Sequence, residues 1–342
     1  MIAEAIAKLV DGRDLTEEQA GACMEEIMAE QATAAQFGAF VIALRLKGET
    51  VDEITGMART MRDKSLRVHV DGPLLDTCGT GGDGKATFNA STAAAFVAAG
   101  AGAKVAKHGN RAMTSACGSA DVLEALGAKL AVSPEDVMKS IGEVGFGFMF
   151  AQAFHPAMKF AAGLRREIGV RTVFNILGPL TNPAGAEMQV LGVASAELGE
   201  KLANVLLNLG TKHALVVFGE DGFDEVSLGA PTTVHEVQDG KVRSYTVTPE
   251  DMGVVTQKPD AVGGGVAEEN AKALRAVLSG DAGPLRDFTL INAAAALVAG
   301  DLASDLNEGM QVAAKSIDSG AALEKLDAFV RVSMSAEARP AR

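Results

Sequence analysis

The feature that most constrains this chain is an apolar run that ends in clustered glycines and is followed by an alanine-rich segment. The stretch extends from Leu75 to Thr92, contains four glycines between positions 79 and 84, and leads into the segment 93–100. Thr, Asn and Ser residues occupy the helix-capping positions between them. A glycine-rich turn before a helix N-terminus exposes backbone N–H groups that bind anions. The stretch therefore predicts a strand, an anion-binding loop and a helix.

The glycine-rich stretch matches two nucleotide-binding motifs incompletely. Gly79, Gly81 and Gly84 satisfy G-x-G-x-x-G, but the helix does not open inside the motif, and the second strand ends in Lys107-His108 without the ribose-binding acid. Gly79 to Lys85 reads G-x-x-x-x-G-K, but Ala86 stands where a P-loop has the hydroxyl that binds Mg²⁺. NAD and NTPase sites are therefore disfavoured, and a glycine turn without a ligand remains the alternative for this stretch alone.

Composition narrows the function class. The 342 residues are 48% apolar and 4% aromatic, contain no Trp, and carry a net charge of −13. A nucleic-acid-binding protein needs a positive face and aromatic stacking platforms, so this balance disfavours one. The three cysteines, Cys23, Cys78 and Cys117, are too scattered for a disulfide framework, and the N-terminus lacks a signal-type block. We expect a cytoplasmic protein.

The first 63 residues have helical periodicity throughout. Phe37, Phe40, Val41 and Leu44 recur at the spacing of one helix face. Helix N-caps are predicted at Thr16 and Thr50, and a helix stop is predicted at Gly48. For any single residue here, a supporting structural role is the simplest interpretation.

From Asp71 onward, short apolar runs alternate with alanine-rich segments, which is typical of a largely parallel α/β sheet. A hairpin is predicted late in the chain, with strands at 234–237 and 242–247 around Asp239-Gly240. The tail after about Arg331 is expected to fray. The predicted parallel strands are 74–78, 104–106, 129–132, 146–150, 190–194 and 214–218.

A second informative stretch follows the second predicted strand. Residues 107–124 begin Lys-His-Gly-Asn-Arg and contain several hydroxyl side chains. Because they follow a strand end next to the glycine loop, they lie where open α/β sheets bind ligands, and their cations suit phosphate oxygens. A basic loop on an acidic protein is, on its own, equally typical of solvated surface.

Together the two stretches resemble the anthranilate phosphoribosyltransferase family. The resemblance is carried by Gly79-Thr80-Gly81-Gly82-Asp83, Asn89-Ala90-Ser91-Thr92, Lys107-His108-Gly109-Asn110-Arg111 and Gly118-Ser119-Ala120-Asp121. It extends through residues 172–183 and Asp224-Glu225-Val226-Ser227 and covers nearly the whole chain. This combination is far more specific than a glycine motif.

The resemblance implies transfer of a 5-phosphoribosyl group from phosphoribosyl pyrophosphate to the amine of anthranilate, with release of pyrophosphate, in tryptophan biosynthesis. It implies an α/β fold in which a small N-terminal all-helical domain is hinged to a large α/β domain with a mostly parallel central sheet. Residues 1–70 would form the helical domain, joined by a segment near 163–187, and residues 71–342 would form the large domain. The family is usually homodimeric through the helical domains.

The resemblance also implies the site residues, position by position. Two Mg²⁺ ions would accompany the pyrophosphate, with Ser91, Asp224 and Glu225 as metal ligands. Anthranilate would contact Gly79, Asn110 and Arg165. Phosphoribosyl pyrophosphate would contact Gly79, Gly82, Asp83, Thr87, Asn89, Ala90, Ser91, Thr92, Lys107, His108, Gly109, Asn110, Arg111, Ala112, Met113, Thr114, Ser115 and Ser119.

This sequence departs from the family pattern at Ala116-Cys117, where many relatives have Lys-Ser, and at Phe223, which is often Leu. The predicted chemistry needs no general base, because the aniline nitrogen is neutral at pH 7; His108 is expected to bind or shape the loop. A nucleoside phosphorylase of the same fold is disfavoured by the Lys107–Arg111 motif and the Asp224-Glu225 pair. A non-catalytic nucleic-acid-binding relative is disfavoured by the net charge.

Overall fold

The computed structural model describes residues 1–82, 84–85, 87–112 and 116–336. An all-helical region comes first, and strands then alternate with helices. The strands are β1 Leu75–Gly79, β2 Val105–Gly109, β3 Phe146–Phe150, β4 Met188–Gly192, β5 His213–Gly219, β6 Thr232–Gln238 and β7 Lys241–Val247.

The helices of the described residues fall into two groups. Those before or beside the first half of the sheet are α1 Ile2–Val10, α2 Glu17–Met28, α3 Ala34–Lys47, α4 Val51–Asp63, α5 Ala90–Gly100, α6 Ser119–Ala125, α7 Pro134–Val144, α8 Ala151–Phe154, α9 Lys159–Ile168 and α10 Phe174–Leu177. Those that follow are α11 Ala196–Asn208, α12 Ala267–Leu278, α13 Pro284–Ala299, α14 Leu306–Asp318 and α15 Ala321–Ser335. Short 3-10 turns occupy Pro156–Met158, Gly178–Leu180, Glu250–Met252 and Pro259–Val262.

Capping residues set the boundaries of the N-terminal helices. Thr16, Thr33 and Thr50 each accept a hydrogen bond from the backbone three residues on, and the Gln or Glu at that position completes a capping box. Gly48, at φ +88°, ends α3. The predicted caps at Thr16 and Thr50 and the predicted stop at Gly48 are confirmed.

Helices α9 and α10 pack against this N-terminal region although they lie a hundred residues later in the chain. The Phe174 ring stacks on Phe37 at a centroid separation of 5.5 Å. Arg62 of α4, largely buried, donates to the carbonyl oxygens of Leu180 and Leu209. The segment between β3 and β4 therefore shares one apolar core with helices α1–α4.

The seven strands form one sheet in the order β3-β2-β1-β4-β5-β6-β7. Strands β1 to β5 are parallel, and β6 and β7 continue the sheet antiparallel. Asp239 and Gly240 turn the β6–β7 hairpin at φ +51° and +71°, which suits a two-residue turn. The mostly parallel sheet and the late hairpin are confirmed. The chain order reverses between β1 and β4, where open α/β sheets bind ligands.

Two sequence expectations were wrong. Residues 129–132 form no strand, because the Lys129 N–H donates to Ser333 Oγ of α15 instead of to a neighbouring strand. The last helix does not fray at Arg331 but continues to Ser335, since its buried Phe329 packs on Phe146. Residues 337–342 lie outside the described residues.

Alanine-rich α5 lies at the centre of the large core. Its small side chains let it pack between the sheet and helices α13 and α15, and its Phe96 stacks on Phe146 at 4.2 Å. This packing fixes the start of α5 at the carboxyl edge of the sheet. In the part of the chain that the model describes, no helix is long and apolar enough to cross a membrane.

Candidate active site

The glycine loop begins where β1 ends. Gly81, Gly82 and Gly84 have φ values of +60°, +79° and +71°, in the left-handed region that favours glycine. The Thr80 N–H donates to the carbonyl oxygen of Gly192, at the end of neighbouring β4, at 2.9 Å. The loop is thus tied to the sheet at its start and then turns over the strand ends toward α5.

The N-terminus of α5 faces this loop. Asn89 is its N-cap residue, but the side chain does not cap the helix. It donates instead to the Cys117 carbonyl oxygen at 3.2 Å and accepts from Asn270 Nδ2 at 2.9 Å. The Asn89 side chain therefore leaves the positive end of the helix dipole facing the loop, although the Ala90 and Thr92 N–H groups donate to the carbonyl oxygens of Phe88 and Asn89.

Hydroxyl groups in the first turn of α5 connect it to the second loop. Thr92 Oγ1 lies 3.2 Å from Ser119 Oγ at the start of α6. Ala90 and Thr92 are buried, and Thr87 forms an isolated bridge with Gly263. The predicted Asn89–Thr92 cap and Ser119 are thus brought together.

Lys107 of β2 is fully buried beside these groups. Its ammonium donates to the Thr77 carbonyl oxygen and lies 3.4 Å from both Thr77 Oγ1 and Ser91 Oγ. Burial lowers the pKa of Lys107, and the nearby Asp76 carboxylate opposes that shift. The ammonium therefore fixes the predicted metal ligand Ser91 from below.

Asp76 connects three segments beneath the site. Its carboxylate accepts from the His108 backbone N–H at 3.1 Å and from Asn182 Nδ2 at 2.8 Å. Asn182 Nδ2 also donates to the Ala106 carbonyl oxygen at 2.8 Å. Burial raises the pKa of the Asp76 carboxyl, and the positive charge of Lys107 opposes this. The end of β2 and the loop before β4 are thereby joined to β1.

His108 is buried in the protein interior beside His155. The ring centroids lie 5.1 Å apart, and His108 Nε2 and both nitrogens of His155 are buried without a hydrogen-bond partner among the described residues. Burial lowers the pKa of His108 to about 3 and that of His155 to about 4. Both rings are neutral at pH 7.

The loop after β2 is closed by one carboxylate. Asp121 Oδ2 accepts from the Ala112 N–H at 2.9 Å and from the Gly118 N–H at 2.8 Å. Asn110 Oδ1 accepts from its neighbour's N–H and lies 3.4 Å from Gln152 Nε2. The ends of the loop are thus fixed at α6.

Arg111 is directed toward α6 in this structure. Its guanidinium pairs with Glu124 and with Asp121, and lies 5.4 Å from the centroid of the Phe150 ring. The hydrogen bond to Glu124 raises its pKa. Gly109, the last residue of β2, lies close to Phe148, and an added Cβ there would be 2.9 Å from the ring.

Asp224 and Glu225 lie across the ends of β1 and β4. Asp224 Oδ2 accepts from the Gly81 N–H at 2.8 Å. A Cβ added at Gly79 would lie 2.4 Å from Asp224 Oδ2. Asn292 of α13 holds the segment by exchanging hydrogen bonds with the Val226 backbone. Asp224 of the predicted metal-binding pair is thus held against the glycine loop.

Arg165 lies on α9, on the helical side of the site. It is half-buried, with its guanidinium 5.4 Å from the centroid of the Phe174 ring, and burial lowers its pKa. Its neighbour Arg166 is exposed. The two arginines therefore differ in environment, and the assignment of Arg165 to anthranilate stays a prediction.

Four predicted site residues, Asp83, Met113, Thr114 and Ser115, lie outside the described residues. The sequence reasoning missed Asp76, Asn182, Asp121 and Arg171, which position the loops. Asn182 precedes a proline at the end of a family motif, and this was an available signal. Arg171, two residues beyond the glycine that ends α9, gave no comparable signal.

Two family models match the chain. The glycosyl transferase family α/β domain matches residues 71–323, and the glycosyl transferase family helical bundle domain matches residues 3–65. Anthranilate phosphoribosyltransferase of Chloroflexus aurantiacus is 59% identical over 97% of this chain and 98% of its own length. The enzyme of that name from Symbiobacterium thermophilum is 57% identical over 94% of this chain and 95% of its own.

Solved structures agree with these relatives. Anthranilate phosphoribosyltransferase from Thermus thermophilus aligns with a TM-score of 0.92 at 46% identity, covering 97% of this chain and 99% of that one. The Saccharomyces cerevisiae enzyme, solved in complex with phosphoribosyl pyrophosphate and Mg, aligns with a TM-score of 0.90 at 30% identity, covering 98% of each chain.

Proposed function

Because the chain belongs to the anthranilate phosphoribosyltransferase family, we propose that the loops after β1 and β2 bind phosphoribosyl pyrophosphate and that α9 presents Arg165 to anthranilate. The enzyme transfers the 5-phosphoribosyl group from phosphoribosyl pyrophosphate to the amine of anthranilate, giving N-(5-phosphoribosyl)anthranilate and pyrophosphate in tryptophan biosynthesis. The observation that supports the site assignment is the hydrogen bond from the Gly81 N–H to Asp224, which holds one carboxylate of the adjacent Asp224-Glu225 pair against the glycine loop.

The residues present fit Mg²⁺. The site offers two adjacent carboxylates and the Ser91 hydroxyl, all hard oxygen donors. Among the described residues, no cluster of three or more His, Cys, Asp or Glu could hold a metal by itself. This suits Mg²⁺, which takes one or two carboxylates and completes its octahedron with phosphate oxygens and water. We propose two ions, held by Ser91, Asp224 and Glu225 together with the pyrophosphate.

We propose the following roles. Gly79, Gly82, Asp83, Thr87 and the residues from Asn89 to Thr92 bind phosphoribosyl pyrophosphate. The segment from Lys107 to Ser115, with Ser119, closes over the same ligand. Anthranilate contacts Gly79, Asn110 and Arg165. The guanidinium of Arg165 matches the planar carboxylate of the substrate.

The reaction requires orientation more than proton transfer. The aniline nitrogen of anthranilate is neutral at pH 7, so its lone pair forms the bond to the anomeric carbon as the bond between that carbon and the pyrophosphate oxygen breaks. The nitrogen then loses a proton to the released pyrophosphate or to water. Bound Mg²⁺ stabilises the negative charge that develops on the departing pyrophosphate. The glycine loop and α5 add N–H dipoles to that stabilisation, and Arg165 and Asn110 orient the amine. His108, neutral and bonded through its backbone to Asp76, shapes the loop.

We propose the following organisation. Residues 1–70, joined by the segment near 163–187, form a small helical domain, which the shared core of Phe37 and Phe174 supports. Residues 71–342 form the large domain. The enzyme acts in the cytoplasm as a homodimer that associates through the helical domains.

The decisive experiment is a fluorescence assay that follows consumption of anthranilate by the purified protein with phosphoribosyl pyrophosphate. We expect loss of anthranilate fluorescence that requires both phosphoribosyl pyrophosphate and Mg²⁺. Phosphorolysis of a pyrimidine nucleoside is the control reaction, and we expect none. Consumption without Mg²⁺, or nucleoside phosphorolysis in its place, would contradict the assignment.

A further inference from the structure

Arg171 reaches from the helical side of the molecule onto the glycine loop. It lies between α9 and α10, and its Nη2 donates to the Gly81 carbonyl oxygen at 3.1 Å. Its Nη1 lies 1.1 Å from the position that a Cβ would take at Gly82. The guanidinium therefore lies directly against the loop backbone, at a place where only glycine leaves room for it.

The backbone of Arg171 is anchored on the opposite side. Arg45 of α3 donates to the Arg171 carbonyl oxygen. The next residue, Thr172, donates its N–H to Asn175 Oδ1 at 3.0 Å. These two bonds fix the main chain at Arg171 and Thr172. The direction of the Arg171 side chain toward the glycine loop therefore does not depend on a bound ligand.

The charge of Arg171 is not balanced by a carboxylate of the described residues. Arg111 pairs with Glu124, Arg243 with Glu236 and Arg275 with Asp327, all at 2.8 Å or less. Arg171 has no such pair among the residues described. A guanidinium has five N–H donors, and the bond to Gly81 uses one of them.

Among the described residues the half-buried guanidinium of Arg171 has no carboxylate partner, and partial burial of a charge is costly unless an anion pairs with it. Here the cation lies on a loop whose N–H groups are themselves suited to anions. Its remaining donors form a planar fork, which is the geometry that matches two phosphate oxygens. The remaining donors of Arg171 are therefore suited to an anionic ligand bound on the glycine loop.

We propose that Arg171 is a further substrate-binding residue, whose guanidinium bonds anionic oxygens of the pyrophosphate group on the glycine loop. This rests on the proposed function, since it takes phosphoribosyl pyrophosphate as the ligand of that loop. Arg171 then acts on the phosphate-bearing substrate, whereas Arg165, six residues earlier, acts on the carboxylate of anthranilate. This position of Arg171 also requires glycine at position 82, because any side chain there displaces the guanidinium.

The test compares Arg171→Gln, Arg171→Lys and the control Arg166→Gln, which removes an exposed arginine of the preceding helix. Gln keeps a donor for the Gly81 carbonyl oxygen but removes the charge. Calorimetric titration with phosphoribosyl pyrophosphate and Mg²⁺, without anthranilate, gives Kd directly. We expect Kd to rise about tenfold or more in Arg171→Gln, less in Arg171→Lys, and not in Arg166→Gln. The KM for anthranilate should change less than twofold.

Three outcomes overturn the proposal. The first is wild-type affinity in Arg171→Gln, which makes Arg171 a structural support of the Gly81 turn. The second is a selective rise in the KM for anthranilate, which moves the guanidinium to the other substrate. The third is a wild-type protein that binds no phosphoribosyl pyrophosphate, which overturns the proposed function as well. Thermal unfolding of each variant confirms that its fold is retained.

Discussion

Asp224 lies directly over Gly192, so that a Cβ added to Gly192 would be 1.5 Å from the Asp224 carbonyl oxygen. Gly192 pairs with Gly79 across β1 and β4, and the same segment presses on both residues. We predict that Gly192→Ala displaces the carboxylate pair and lowers kcat/KM by at least tenfold, with a loss of about 1–3 kcal/mol in the free energy of unfolding. Gly142→Ala in α7, which meets nothing within 4 Å, is the matched control. Steady-state kinetics and urea unfolding measure both; equal activity in the two variants would contradict the prediction.

Removing the charge of the metal-binding pair should separate activity from stability. Asp224→Asn with Glu225→Gln keeps the side-chain volumes, and Asn keeps an acceptor for the Gly81 N–H. We expect turnover at ordinary Mg²⁺ concentration to fall by about 100-fold or more, with little change in unfolding free energy. Activity measured across a Mg²⁺ titration is the readout. Near-normal turnover in the double variant would remove these residues from the metal site.

Lys107→Ala and Arg111→Ala should both raise the KM for phosphoribosyl pyrophosphate more than the KM for anthranilate. A charged hydrogen bond of this kind contributes roughly 1.5–3 kcal/mol. Their effects on stability should differ, because Lys107 is buried beside Asp76 whereas Arg111 forms a surface pair with Glu124. We expect about 3–5 kcal/mol of destabilisation for Lys107→Ala and about 1 kcal/mol or less for Arg111→Ala. Kinetics with both substrates varied, together with chemical unfolding, test this; a larger effect on anthranilate would argue against the assigned roles.

Arg165→Ala and Arg166→Ala form a matched pair for the anthranilate contact. We expect Arg165→Ala to raise the KM for anthranilate about tenfold or more and to leave that for phosphoribosyl pyrophosphate near its wild-type value. Turnover at saturation should fall less, since the contact exists in the ground state and in the transition state. Arg166→Ala should behave as wild type because its side chain is exposed. The reverse pattern would shift the site by one residue.

The buried histidine pair predicts an acid-sensitive fold. His108 and His155 are neutral in the folded protein, with pKa values near 3 and 4, but take up protons below about pH 6.5 when unfolded. Their contribution to stability is therefore present above pH 6.5 and is lost as the pH falls toward the folded-state values. Between pH 7.5 and pH 5, each should cost about 2 kcal/mol of unfolding free energy.

The test is the pH dependence of urea unfolding in His155→Gln, with His69→Gln, an exposed histidine, as control. The loss of unfolding free energy between pH 7.5 and 5 should be about 2 kcal/mol smaller in His155→Gln and unchanged in the control. A pH dependence in His155→Gln that equals wild type would mean that His155 does not titrate with unfolding.

Local signals allowed much of the fold to be predicted. The capping threonines, Gly48 and the Asp239-Gly240 turn act on residues next to them in the chain. The helix ends and the hairpin that they determine can therefore be predicted from the sequence. The predicted strand at 129–132 does not form because Lys129 bonds to Ser333, about two hundred residues later in the chain. A local sequence pattern contains no information about that contact. The pairing of α9 and α10 with the N-terminal helices was implied by the family resemblance and was not evident from periodicity.

The same distinction applies to the site. Residues proposed to contact the ligands lie in recognisable motifs, from which the family resemblance assigns their roles. Asp76, Asn182 and Arg171 act by holding other segments, and each contact joins positions about thirty to one hundred residues apart. Their roles depend on tertiary geometry, so the sequence alone did not distinguish them from ordinary polar residues.

The single carboxylate of Asp121 has a consequence for variation within the family. The Asp121 carboxylate accepts from the N–H groups of both Ala112 and Gly118. The two ends of the loop between these residues are therefore fixed by the same side chain. The contact of Cys117 with Asn89 uses a backbone oxygen, which any residue at that position supplies. The Ala116-Cys117 pair, where many relatives have Lys-Ser, lies inside that loop. Because the two bonds to Asp121 and the bond to Asn89 are all made by backbone atoms of the loop, they do not depend on which side chains stand at positions 116 and 117.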